Sequence, residues 1–140
     1  LISNIFSIDR EGGTFEEKLR RKIEAHFEIL KKNPKIPFLV INEITTNPER
    51  IASLRDSIGE LPLSVYATLE QDLQKEIAQG RVRETNALDL MFSALSLNLA
   101  TFLVRPVLQN ILGLTDEAMD GFLEHRKEEN VKIILQSLKP

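Results

Sequence analysis

The sequence predicts an all-α domain, and three observations carry that prediction. Apolar residues recur at spacings of three and four along most of the chain, which lines one face of a helix. Starting and stopping residues bracket those runs: Thr14, Asn47-Pro48 and Thr115 at starts, Asn33-Pro34, Gly80 and Gly113 at ends. Finally, one segment alone, residues 36–46 (IPFLVINEITT), has the β-branched content of a strand, and no second clear strand exists to pair with it.

The elements follow in order. Thr14 and Glu17 form a capping box, after which Phe15, Leu19, Ile23, Phe27 and Leu30 share a helix face. Asn33-Pro34 ends that helix, because the residue before proline avoids the α region. The segment from Ile36 to Thr46 is assigned as a second, short helix. Asn47-Pro48-Glu49 reads as an N-cap, an N1 proline and an acidic first turn. Ile51, Leu54, Ile58 and Leu61 follow at helical spacing, continued by Val65, Leu69, Leu73 and Ile77. Gly59 and Pro62 interrupt this long element, so a kink or short break is expected near Glu60. Gly80 is its natural terminator. Thr85 or Asn86 caps an apolar helix running to about Leu112 despite Pro106, and Gly113 closes it. Thr115, Asp116 and Glu117 start the last helix, which carries Met119, Phe122, Leu123, Val131, Ile134, Leu135 and Leu138. Five to seven helices joined by short turns are expected.

At 140 residues the chain fits a single domain, 1–140, and its ordinary balance of apolar and charged residues excludes disorder. The absence of cysteine excludes a disulfide framework, a thiolate metal site and cysteine catalysis. A net charge of −3 does not supply the clustered cations that neutralise nucleic-acid phosphates. The run Lys18, Arg20, Arg21, Lys22 lies opposite the Phe15–Leu19–Ile23 face and reads as a solvated surface. The chain begins at Leu1 rather than Met, so a preceding part is expected. Asp9, Arg10 and Glu11 in the opening residues argue against a signal peptide. Residues 90–104 (LMFSALSLNLATFLV) carry no charge, yet the run is shorter than the roughly 20 apolar residues of a membrane span. With Ser93, Ser96 and Asn98 inside it, a central or interface helix of a soluble, cytoplasmic protein is expected, and no membrane association.

Three passages resemble the C-terminal domain of the TetR family of bacterial transcriptional regulators. HFEILKKNPKIPFLVINEITTNPER (26–50) is similar to that family's helix, Asn-Pro turn, short apolar helix and second Asn-Pro turn. KEIAQGRVRETNALDL (75–90) is similar to the linker before the penultimate helix. FLVRPVLQNILGLTDEAMDGFLEHRKEENVKIILQSLKP (102–140) resembles the closing helix pair, including a charged RKEE turn. Family members begin with a helix-turn-helix headpiece, and nothing in this sequence resembles one; residues 1–8, within a tail spanning 1–10, look like the end of the connecting helix.

The resemblance implies a TetR C-terminal-domain-like bundle whose last two helices, within 87–138, form a dimeric four-helix bundle. The apolar residues on several faces of helix 87–112 point the same way. Leu99, Phe102, Leu103, Phe122, Val131, Ile134, Leu135 and Leu138 are the expected homodimer interface. A cavity enclosed by the preceding helices is implied too, with Phe27, Phe38, Asn42, Tyr66, Leu69, Met91, Leu95 and Asn98 as the expected ligand-binding residues for a small hydrophobic or amphipathic effector. Asn98 has two readings: a hydrogen bond to the effector, or a contact across the dimer seam or to a buried water. DNA would be contacted only through the absent headpiece, and effector binding would alter that headpiece's affinity, as in a repressor. His125, among Glu124, Glu128 and Glu129, reads as part of a solvated face. His26 reads as a satisfied, partly buried histidine or a ligand contact, and a metal is expected at neither. No nucleophile elbow, zinc-protease helix, phosphate loop or dinucleotide turn is present, so neither catalytic residues nor a cofactor are expected and the chain is not expected to be an enzyme. The alternative function is a ligand-independent helical interaction module, and a lipid or small-molecule carrier would share the cavity.

Overall fold

The computed structural model describes residues 12–49 and 61–140. Among these residues there are five helices and no strand: α1 (Phe15–Lys32), α2 (Ile36–Thr46), α3 (Leu61–Ala78), α4 (Ala87–Ile111) and α5 (Asp116–Ser137). The expected all-α class is what the chain adopts. The ambiguous segment 36–46 is helical, with Pro37 in its first turn, where a missing N–H costs nothing. The expectations for the N-terminal tail, and for Asn47-Pro48 capping a following helix, fall largely on residues outside those described.

Caps fix most of the boundaries. The Thr14 hydroxyl accepts from the Glu17 amide at 3.1 Å, and Glu16 and Glu17 against Lys31 and Lys32 complement the α1 dipole. Asn33 ends α1, its side-chain amide donating to the Ile29 carbonyl at 2.9 Å. Pro62 is the second residue of α3 as described, and the break expected near Glu60 lies outside the described residues. Past Ala78 the Gly80 amide donates to Ile77 O and the Arg81 amide to Glu76 O, the paired bonds of a Schellman stop. Such a stop requires a left-handed residue, and Gly80 has φ of 75°.

Two side chains start α4. The Asn86 carbonyl oxygen accepts from the Asp89 amide at 2.9 Å, and Glu70 on α3 accepts from the Ala87 amide at 2.6 Å. A carboxylate at a helix N-terminus also meets the positive end of the dipole. The helix runs through Pro106 to Ile111, a length of about 38 Å at 1.5 Å per residue. Gly113, with φ of 67°, turns the chain, and the Thr115 hydroxyl opens α5 by accepting from Ala118 at 3.1 Å. The RKEE stretch expected as a turn is instead continuous helix in the middle of α5, because no glycine or proline interrupts it.

Helix α4 is the axis of the fold and packs against each of the other four. Two apolar clusters fill the interior. One joins Leu19 and Ile23 of α1 to Leu69 and Leu73 of α3, Leu90 of α4, and Val131 and Ile134 of α5. The other joins Phe27 and Leu30 to Phe102, Met119 and Leu123, with the Phe27 and Phe102 rings 4.9 Å apart at 59°. Outside the second cluster, α1 and α5 are laced by ion pairs: Lys31–Glu124 at 2.8 Å, Lys127–Glu28 at 3.0 Å and Arg20–Glu128 at 3.5 Å.

Candidate functional site

Two features of α4 stand out against this frame, one facing inward and one outward. The inward feature is a buried polar junction. Asn98 on α4 and Asn130 on α5 are 1% and 0% exposed. The Asn130 amide nitrogen donates to Asn98 Oδ1 at 3.0 Å and lies 3.4 Å from Thr101 Oγ1. Asn98 Nδ2 reaches back to α1, donating to the Ile23 carbonyl at 3.1 Å and lying 3.0 Å from His26 Nδ1. Arg126 closes the chain, its Nε donating to Asn130 Oδ1 at 2.7 Å. Buried amides without partners would each cost about 1–3 kcal/mol, so this junction sits between the two apolar clusters only because its members satisfy one another.

Electrostatics at the junction's edge are simple. Burial pushes the His26 imidazole below its ordinary proton affinity. On the neighbouring surface, hydrogen bonding to Lys31, then to Lys127, holds the Glu124 carboxyl below the usual range. Lys127 is raised in turn, first by its hydrogen bond to Glu28. Among the described residues no group of His, Asp and Glu is arranged to hold a metal ion.

The outward feature is an uncovered apolar stripe. Leu88, Phe92 and Leu95 stand exposed near the start of α4 and Val107 and Ile111 near its end, with Phe92 73% and Ile111 75% exposed. Val104 and Leu112 widen it, and Ile133 adds an exposed apolar residue on α5. Helix α4 is long and apolar enough to cross a membrane by length and composition. Its inward side carries the hydrogen-bonded Asn98 and Thr101, so the excess hydrophobicity resides in this outer stripe.

The residues expected to bind a ligand are distributed over several environments. Leu69 is buried in the first cluster, with Tyr66 and Met91 packed on it, and Phe27 is buried in the second. Asn98 lies between the clusters with both of its N–H groups engaged within the chain. Phe38 and Asn42 are exposed on α2, and Leu95 belongs to the outer stripe of α4. Of the residues expected at a dimer interface, Phe102, Val131, Ile134 and Leu138 are covered by the chain's own helices. Leu135 and Phe122 are partly buried against the two clusters, and Leu99 and Leu103 are half-buried on α4.

Sequence reasoning singled out Asn98 and His26, which meet at 3.0 Å, but not Asn130 or Arg126. Asn130 stands within RKEENVKII, where charged neighbours conceal it, although it falls in the series Met119, Leu123, Asn130, Ile134 that α5 buries. That register was the available signal. Arg126, within the charged RKEE stretch, turns its Nε inward to Asn130.

A family model described as "Tetracyclin repressor-like, C-terminal domain" matches residues 16–134. No curated protein and no solved structure matches the chain.

Proposed function

The chain belongs to the tetracyclin repressor-like C-terminal domain family, and from that premise we propose that it senses an effector and dimerises on behalf of a TetR-family transcriptional regulator. The observation that carries the reading is the outer stripe of α4. Leu88, Phe92 and Leu95 near the start of α4 and Val107 and Ile111 near its end are left to water, and burying each contributes up to roughly 1.5–3 kcal/mol. A second copy of the chain, presenting the same stripe with the adjoining face of α5, is the partner of matching chemistry. Residues 87–138 then supply the helix pair of a four-helix dimer, with Leu88, Phe92, Leu95, Leu99, Leu103 and Val107 along the seam.

The effector is a small hydrophobic or amphipathic molecule taken among α1, α2, α3 and the inner side of α4, where Tyr66, Leu69 and Met91 offer apolar lining. Its binding shifts the dimer between DNA-competent and DNA-incompetent arrangements of a helix-turn-helix headpiece, in the manner of a cytoplasmic repressor. The domain's role is regulatory and not catalytic.

Native mass spectrometry of the chain with a panel of apolar and amphipathic compounds tests both parts. The reading predicts a dimer mass and a stoichiometric adduct with one chemical class. A monomer without adducts across the panel would refute it.

A further inference from the structure

The polar junction has a direction that its two ends impose. At one end Arg126 Nε can only donate, so the Asn130 atom facing it must be the oxygen. Asn130 therefore turns its NH₂ toward Asn98, and the Asn98 atom receiving it is Oδ1. At the other end the Ile23 carbonyl can only accept, which independently requires Nδ2 of Asn98 on the α1 side. The same NH₂ group meets His26 Nδ1 at 3.0 Å, so that ring nitrogen must offer a lone pair.

We propose that His26, Asn98, Asn130 and Arg126 form a one-directional relay that fastens α1 to α4 and α5 only while His26 is neutral with its proton on Nε2, which makes this three-helix joint acid-sensitive. A second proton on the ring would sit on Nδ1 and face the Asn98 N–H group, donor against donor. Neither amide can rotate to relieve the clash, because rotation sets oxygen against the Ile23 carbonyl and nitrogen against Arg126. The proposal stands on this geometry and does not depend on the regulatory reading above.

The side chains hydrogen-bonded in this joint besides His26 are Asn98 and Thr101 of α4 and Asn130 and Arg126 of α5, and Arg126 is the charged one among them. Arg126 reaches His26 only through the two amides. Burial is the cause that lowers the proton affinity of His26, in the same direction as the hydrogen-bond argument. The sign follows. The unfolded chain protonates His26 as pH falls through about 6.5, whereas the folded chain resists. Stability from the joint is thus complete above that value, and is lost as pH falls from there to the lower folded-state value.

The test uses the whole ¹⁵N-labelled chain, with His125→Gln to assign the two histidines. Long-range ¹H–¹⁵N correlation spectra at neutral pH should show His26 protonated on Nε2 and bare on Nδ1; a proton on Nδ1 would overturn the proposal. Urea unfolding at pH 7.5 and 5.5 then compares the wild type with His26→Asn, whose Oδ1 occupies the Nδ1 position and accepts without titrating. The wild-type folding constant should fall up to about tenfold more than the variant's. Equal falls would overturn the proposal. Should His26→Asn not fold, the wild-type spectra still decide: His26 protonating at or above its ordinary value with the fold intact contradicts the relay.

Discussion

Asn98 and Asn130 meet side chain to side chain across the α4–α5 contact, amide nitrogen 3.0 Å from amide oxygen, both almost wholly shielded from water. An amide pair in such a place is a matched set, in which each member's burial is tolerable because of the other. Replacing Asn130 alone with Leu strands Asn98 Oδ1 and the Arg126 Nε–H, and should cost about 1–3 kcal/mol. Replacing both with Leu should cost less than the sum of the single changes, with a coupling of roughly 0.5–3 kcal/mol. Urea unfolding of the four proteins of this cycle measures it, and strict additivity would show that the pair is not coupled.

Phe102 → Ala removes the ring that packs at a tilt against Phe27 and leaves a cavity in the second apolar cluster. A loss of about 3–5 kcal/mol is expected, read as a lower urea midpoint with an unchanged slope. Because Phe102 is 1% exposed within one chain, the loss should not vary with protein concentration. A strongly concentration-dependent loss would instead place Phe102 in a seam between copies.

Glu70 → Ala removes the carboxylate that accepts from the Ala87 amide and starts α4 from a neighbouring helix. The expected cost is about 0.5–2 kcal/mol, the range for a lost N-terminal cap. Glu70 → Gln keeps an acceptor oxygen while removing the charge, so it should retain part of the stability. Thermal unfolding of the two variants at low and high salt separates the hydrogen bond from the dipole contribution. Equal losses in both would mean that the charge alone matters.

The surface pair Lys31–Glu124 makes a contrasting expectation. Both side chains are substantially solvated, so Lys31 → Ala should change stability by less than about 1 kcal/mol despite the 2.8 Å contact. Glu124 is held low by Lys31 first and Lys127 second, so its small contribution is present at neutral pH and fades as pH falls through the folded-state value. Chemical unfolding across acidic pH, with and without Glu124 → Gln, gives the comparison.

Much of the fold was legible in the sequence because local rules decided it. Thr14, Asn33, Gly80, Asn86, Gly113 and Thr115 mark helix ends through hydrogen bonds or backbone conformations that depend on near neighbours alone. The segment 36–46 needed an argument by elimination, since a lone strand has nothing to pair with. The polar junction was harder to read. Its four side chains come from positions 26, 98, 126 and 130, and only packing of three helices brings them together. Asn98 betrayed itself as an amide in an apolar run, whereas Asn130 was hidden among charges. At the end of the chain, Val131, Ile134 and Leu138 are apolar in a register that the chain's own core also uses. Apolar residues left over after the core is filled, Leu88, Phe92 and Ile111 among them, can be identified only once packing is known.

The most direct test of the central claim is sedimentation equilibrium of the wild-type chain beside Phe92 → Glu. Phe92 belongs to the stripe and is 73% exposed, so the substitution places a charge in the proposed seam without entering the core. The account predicts a wild-type dimer and a folded, monomeric variant with undiminished helical circular dichroism. A wild-type monomer, or a variant that dimerises as tightly as the wild type, would contradict it.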